Sequence, residues 1–296
     1  MTEKPLVSIL MTAYNREKYI AEAIESVLVS SYQNFEIIIT DNCSTDKTFE
    51  IAKSYEAKDS RIKVYLNETN LGQFPNRNRA ASYAKGKYIK YLDSDDIIYP
   101  HSLEIMVNSM EIFPEAGLGL TFNKYKDNFK LPNIFTSAQA FEYQFYKDGL
   151  LYIGPSGCIY NREHFFNIGA FKDYGVASDY EINLRACFTK PIVLLQRDLV
   201  YWRRHEGQEI KRLENKYLEL NYKIHKEIIS NANCPLNENQ KKEVLININK
   251  NHARKIIKSI LKFRFKKSFF IYKITKIPIS SFFYALIPVN IRKKII

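Results

Sequence analysis

No acidic residue follows Glu243, although 13 Lys and Arg occupy the remaining 53 positions of this 296-residue chain. An acidic solvating tail is thereby excluded, and the region carries no charge partners of its own. Cysteine is scarce. Cys43, Cys158, Cys187 and Cys234 fall at no metal-ligand or disulfide-framework spacing, which excludes a disulfide scaffold and fits a reducing compartment. No basic stretch followed by an apolar one opens the chain at Met1, so the expected location is cytoplasmic. Long apolar runs are missing as well: the stretches 268–272 and 280–289 fall short of the roughly 20 residues a spanning helix needs, and Lys273 and Lys276 separate them. No G-x-G-x-x-G follows an apolar strand, which removes the phosphate cradle of a dinucleotide enzyme. Recognised DNA- and RNA-binding motifs are absent, so no nucleic-acid partner is expected.

What is present is unevenly distributed. Residues 1–205 hold 24 Lys and Arg against 25 Asp and Glu, a net −1, whereas residues 206–296 hold 20 against 7, a net +13 that supplies the whole excess of +12. From Ile256 to Phe283 the cations alternate with Phe, Ile, Leu and Tyr. A basic, aromatic-rich segment suits an anionic membrane surface, where each Lys or Arg contributes about 1 kcal/mol near the headgroups. The expectation is a peripheral contact through residues 250–296 on the cytoplasmic face. Its competitor is a charged helical subdomain packing on the rest of the chain.

The first hundred residues alternate strand and helix patterns: 6–12 apolar, 18–29 helical, 35–40 β-branched, 47–55 helical, 62–66 extended, 76–84 helical and 88–92 apolar. Such βαβα order predicts an α/β fold with a doubly wound, mostly parallel sheet, whose ligand crevice lies beyond the carboxyl ends of its strands. Residues 114–142 read as irregular, with a strand at 118–122 and a loop through 128–133. A Gly-rich turn at 153–158 precedes a strand, 178–185 reads as a helix and 192–195 as a strand. Beyond Glu209 the pattern is helical, with breaks expected at 231–235 and near Pro278.

The strand Tyr88-Ile-Lys-Tyr-Leu92 ends in Asp93-Ser-Asp-Asp96, three carboxylates in four residues. Extended-chain spacing predicts that Asp93 and Asp95 aim to one side, into the crevice. Carboxylates this close repel unless a cation compensates, and hard oxygen ligands suit Mg2+ or Mn2+. An Asx turn capping a helix near Pro100 is the plainer reading.

In order along the chain, Val7-Ser-Ile-Leu-Met-Thr-Ala-Tyr-Asn15, Asp41-Asn-Cys-Ser-Thr-Asp-Lys-Thr48, Asn70-Leu-Gly72, Asn76-Arg-Asn78, Gly86-Lys-Tyr-Ile89, Asp93-Ser-Asp95, the acidic element at Asp179 and His205 resemble the family 2 glycosyltransferases of GT-A fold. The resemblance covers about residues 5–206 and implies a nucleotide-sugar-binding half at 1–110, an acceptor-binding half at 111–208 and a helical basic extension at 209–296. It also implies an inverting displacement at the anomeric carbon of a UDP- or dTDP-sugar, with Mn2+ or Mg2+ neutralising the leaving diphosphate. The acceptor would be a hydroxyl of a glycan or lipid-linked saccharide in cell-surface polysaccharide synthesis.

By the same resemblance Asp95 and His205 bind the metal, while Asp93 and Ser94 face the ribose or metal-bound water. Thr12, Ala13, Tyr14, Asn15, Asp41 or Asn42, and Arg77 hold the nucleotide, and Gly154, Ser156 and Gly157 line the donor sugar and acceptor. Asp179 is the implied general base, with Glu181 as its rival and helix capping as its alternative. The chain departs from the family pattern at Ser178, where Glu is usual. That departure keeps a non-catalytic nucleotide- or membrane-binding adaptor in view. A nucleotidyltransferase could share the sheet and acidic site, but its Gly-rich phosphate loop is missing. The sequence carries no signal for oligomeric state.

Overall fold

The computed structural model describes residues 4–122, 130–147, 149–205 and 214–286. It divides into two compact units, 1–208 and 209–296.

The first unit is a mixed α/β layer structure. Strands β1 (Val7–Ala13), β2 (Phe35–Asp41), β3 (Ile62–Leu66) and β4 (Tyr88–Tyr91) alternate with helices α1 (Ile20–Leu28), α2 (Thr48–Glu56) and α3 (Gln73–Ser82). A two-residue strand β5 (Ile97–Ile98), α4 (Ser102–Ile112) and β6 (Leu118–Thr121) follow. Then come β7 (Asn133–Phe135), α5 (Ser137–Tyr146), β8 (Cys158–Asn161), α6 (Arg162–Asn167), α7 (Ser178–Ala186), β9 (Ile192–Leu195) and β10 (Val200–Tyr201). The main sheet has the order β3-β2-β1-β4-β8-β6-β9-β7. Pairing is parallel through β3, β2, β1 and β4 and between β6 and β9, and antiparallel where β8 and β7 enter. Strands with both faces covered need apolar side chains on both, and Ile9, Leu10, Met11, Ile37, Ile38 and Ile39 are all buried.

Register then aligns the strand ends. Ala13 pairs with Asp41 and Leu10 with Tyr91, so the polar residues after β1, β2 and β4 emerge at one rim. Gly86 is required for this alignment: a Cβ there would lie 2.6 Å from both Leu6 O and Ser8 N. The chain from α3 can therefore enter β4 only by passing flush against β1.

Two expectations change. Residues 114–142 are not uniformly irregular, because Thr136 caps α5 through a reciprocal box with Gln139 and β7 pairs with β9. The expected loop 128–133 lies partly outside the described residues. Helix α3 starts at Gln73, three positions before the expected 76.

The second unit is helical: α8 (Glu214–Ser230), α9 (Glu238–Leu261), α10 (Phe265–Thr275) and α11 (Ser280–Leu286). Asn237 and Gln240 cap α9 reciprocally, and α8, α10 and α11 all pack on it. The interruption between α9 and α10 was not legible as a Gly or Pro signal. No helix among the described residues is long and apolar enough to cross a membrane.

Candidate active site

The acidic loop is a turn rather than a continued strand. Asp96 N donates to Asp93 O at 2.8 Å, so the extended spacing that would send Asp93 and Asp95 to one side does not hold. They take different partners. Arg77 Nη2 donates to Asp93 Oδ1 at 2.7 Å, while Asp95 Oδ2 accepts from Arg16 Nε at 3.1 Å and lies 2.9 Å from His205 Nε2. Ser94 is buried, and its hydroxyl donates to Thr12 O at 2.9 Å, fastening the loop to β1 rather than presenting that hydroxyl outward.

A second segment closes over this loop. β10 pairs antiparallel with β5, Val200 opposite Ile98, which folds residues 202–205 back along the aspartates. Arg203 N donates to Asp96 Oδ1 and its Nε to Asp95 O, at 3.2 and 3.0 Å. The Arg203 guanidinium also bonds Glu22 and lies 5.1 Å from the Tyr19 ring centroid, and that ring lies 4.9 Å from the His205 ring. His205 is thus held by a packed strap. Asp96 is buried, and its carboxyl is pushed up to about 7, first by burial and then by Asp93; the Ser156 hydrogen bond works against the shift.

Behind the loop lies the turn at residues 154–157. Ser156 Oγ accepts from Asp93 N at 3.0 Å, and Ser156 O accepts from the Lys90 ammonium, which also donates to Tyr91 O at 2.7 Å. Gly157 admits no side chain: a Cβ would sit 2.6 Å from Ile153, 2.9 Å from Thr121 Oγ1 and 3.2 Å from the Trp202 ring. Gly154 has open space at that position.

Asp179 stands in the first turn of α7, inside the helix whose N-cap is Ala177, so the capping alternative does not describe it. Its Oδ1 is buried without a partner. Burial pushes its carboxyl up to about 6 against the pull of Arg77, with Asp93 adding to the rise. Arg77 itself is buried, and burial alone would lower its pKa, but the charges of Asp93 and Asp179 raise it. One interior guanidinium therefore answers both the acidic loop and α7. Ser178 holds the approach to the helix, accepting from Tyr174 N and donating to Gly175 O at 2.8 and 2.9 Å. Glu181, the rival base, is buried in a two-pronged pair with Arg185, at 2.8 and 2.7 Å.

On the other side of the rim, Asn15 adopts φ 53°, a left-handed conformation Asn tolerates, and its Oδ1 accepts from Thr45 N at 2.9 Å. Tyr14 is 43% exposed. Ala13 O accepts from Asn42 N at 2.8 Å. The Asn42 amide is committed internally: it donates to Asn70 Oδ1 and Gly72 O and accepts from Asn67 Nδ2 and Leu71 N. Asp41 differs. Ser44 N reaches its Oδ1 at 2.8 Å, its Oδ2 is buried and unpartnered, and burial raises its pKa. Of the two, only Asp41 has a side-chain oxygen without a protein partner.

Residues 8–168 match the family model of glycosyl transferase family 2. An uncharacterised glycosyltransferase of Haemophilus influenzae is 31% identical over 254 residues, spanning 78% of this chain and 75% of that protein. The chain belongs to glycosyl transferase family 2. A Bacillus subtilis glycosyltransferase, TuaG, provisionally named for teichuronic acid biosynthesis, is 40% identical over 122 residues, 41% of this chain and 47% of TuaG. The chain spans less than half the length of several curated relatives it matches. The S. aureus TarS 1-349 crystal structure in complex with UDP-GlcNAc superposes with a TM-score of 0.65 at 24% identity, covering 83% of this chain and 72% of that one. The family 2 chain thus has the GT-A fold.

Lys90, Arg16 and Arg203 are not among the residues that the sequence pattern singles out. A lone cation inside the apolar run 88–92 was the available signal for Lys90. Arg16 and Arg203 flank family motifs but carry no pattern of their own.

Proposed function

We propose that the chain is an inverting, metal-dependent glycosyltransferase that moves a sugar from a UDP- or dTDP-sugar to a hydroxyl of a glycan or lipid-linked saccharide in surface polysaccharide synthesis. The observation that carries this reading is Arg77, whose charge acts on Asp93 of the acidic loop and on Asp179 of α7 together. A displacement needs a cation-binding side for the leaving group and a base for the incoming hydroxyl, and this pairing supports both within one electrostatic unit.

Asp179 serves as the base. With a pKa near 6 it is mostly ionised at pH 7 and still basic enough to accept the acceptor's proton. Asp179 is partly exposed although its Oδ1 is enclosed, so the other carboxylate oxygen would take that proton. Arg77 keeps that carboxylate ionised against burial. Asp41 would accept from the nucleobase edge once its enclosed Oδ2 is uncovered, Asn15 shapes the backbone beside it, and Tyr14 supplies an exposed ring for stacking. Arg16, with its guanidinium on Asp95 and on the carbonyls of Tyr14 and Asn15, is positioned to meet a diphosphate.

The donor set fits a divalent ion that shares its coordination with a ligand. Asp95 and His205 converge to 2.9 Å, and no group of three His, Cys, Asp or Glu among the described residues forms a full cage. Mg2+ and Mn2+ sites built on one or two protein groups and substrate phosphates have this composition. When bound, the ion would stabilise charge on the departing diphosphate. The basic end of the chain supports a peripheral association with an anionic membrane, where a lipid-linked acceptor would be found.

A thermal-shift screen of UDP- and dTDP-sugars with Mn2+ tests the reading, since a donor at 100 times its Kd stabilises the native state by about 2.7 kcal/mol. A shift for one donor, followed by acceptor-dependent release of its nucleotide, is expected. No shift with any nucleotide sugar, with or without Mn2+, would overturn it.

A further inference from the structure

Six consecutive residues of the second unit, 261–266, are all exposed. Leu261, Phe263 and Phe265 stand 74, 83 and 60% exposed and alternate with Lys262, Arg264 and Lys266. They form a knuckle where α9 stops and α10 begins. Phe263 N donates to Ile260 O and Arg264 N to Ser259 O, both at 2.8 Å, and Phe263 takes φ 53°. A bulky residue at positive φ is disfavoured, so glycine would be the ordinary choice here. The Phe263 and Phe265 ring centroids lie 6.3 Å apart, edge to face, which makes them one apolar tip. Its base is firm: Ser268 is buried and bonds Arg264 O at 3.2 Å, and Ile271 packs in the interior.

We propose that this knuckle is the membrane-contacting element of the chain, inserting Phe263 and Phe265 into an anionic bilayer while Lys262, Arg264 and Lys266 meet lipid phosphates. Charge decides the occupant. Two copies meeting through the same face would oppose their cations, and no acidic residue of 244–296 could relieve them. An anionic lipid surface complements the cations and accepts the rings in the same layer. The inference deepens the membrane part of the proposed function and is independent of sugar transfer.

The test uses the full chain in sedimentation with phosphatidylcholine vesicles, with and without about one third phosphatidylglycerol as the anionic component. Binding to the anionic vesicles, weakened by salt, is expected. F263S/F265S should lower the partition coefficient at least about tenfold in both low and high salt. K262Q/R264Q/K266Q should lower it about a hundredfold at low salt and much less at high salt. Unchanged far-ultraviolet circular dichroism and an unchanged nucleotide-sugar thermal shift in each variant separate failure of this contact from misfolding and from failure of the transferase reading. Wild-type binding by both variants would overturn the proposal, as would a lipid-free dimer in sedimentation velocity that F263S/F265S abolishes.

Discussion

His205 Nε2 lies 2.9 Å from Asp95 Oδ2 although 110 positions separate them in the chain. The β5–β10 ribbon makes the contact, turning residues 202–205 antiparallel to the acidic loop, and the Arg203 contacts to Asp95 O and Asp96 hold it there. A residue at the end of the first unit thus becomes adjacent to one near its middle through two residues of pairing on each side.

If these two groups bind the ion, His205→Ala should raise the Mn2+ concentration for half-maximal activity by at least about 10- to 100-fold, the cost of losing even an outer-shell partner of a metal ligand. Activity should recover partly at high Mn2+. Calorimetric titration of Mn2+ into the protein with UDP present would show the same loss of affinity. An unchanged Mn2+ dependence would remove His205 from the ligand set.

Asp179→Asn should leave donor binding intact and lower kcat by about 10²- to 10⁴-fold, the contribution of a positioned general base. The pH profile gives an independent reading. If Asp179 is the base, activity requires its ionised form, and the acid limb should fall tenfold per pH unit below about 6. Arg77→Gln removes the charge that favours the ionised form, and its acid limb should move upward. A limb that stays in place or moves down would break the assigned link between Arg77 and Asp179.

The sheet was legible because alternating apolar and helical patterns survive in single residues: β9 begins and ends at the residues expected. The direction of side chains after β4 was not. Strand spacing was extended through Asp95, but the Asp93–Asp96 turn depends on a hydrogen bond to a backbone carbonyl and on β5, a two-residue strand too short to carry a period. Asp41 and Asn42 looked interchangeable as polar residues after β2. Their difference comes from Asn67, Asn70 and Leu71, which surround Asn42 only once the chain folds. Lys90 carries no sequence signal beyond being a lone cation in β4.

Glu181 resembles Asp179 in sequence and is separated from it by environment. Arg185 grips both its oxygens, and the same guanidinium bonds Ile168 O and Ala170 O. Breaking a buried pair of this kind costs about 3–5 kcal/mol. Glu181→Gln should therefore unfold at markedly lower denaturant while the folded fraction keeps near-normal turnover. A stable variant without activity would instead make Glu181 the base.

Lys90 supplies a test of the interior behind the acidic loop. Burial lowers its pKa to about 8 from the ordinary 10.5, despite the opposing charges of Asp93 and Asp96. Below about pH 8 the ammonium is charged in both folded and unfolded chains, and its buried cost is fully present. Between about 8 and 10.5 the unfolded chain binds the proton and the folded one does not, so this group makes stability rise with pH across that window. Lys90→Met lacks the effect. Wild-type stability measured by urea unfolding should thus gain on the variant from pH 8 to 10, although tyrosines such as Tyr55, pushed up to about 12, lend the two chains a common background. A constant difference across that range would mean that Lys90 keeps its proton, held by the carbonyls of Tyr91 and Ser156 more firmly than burial opposes it.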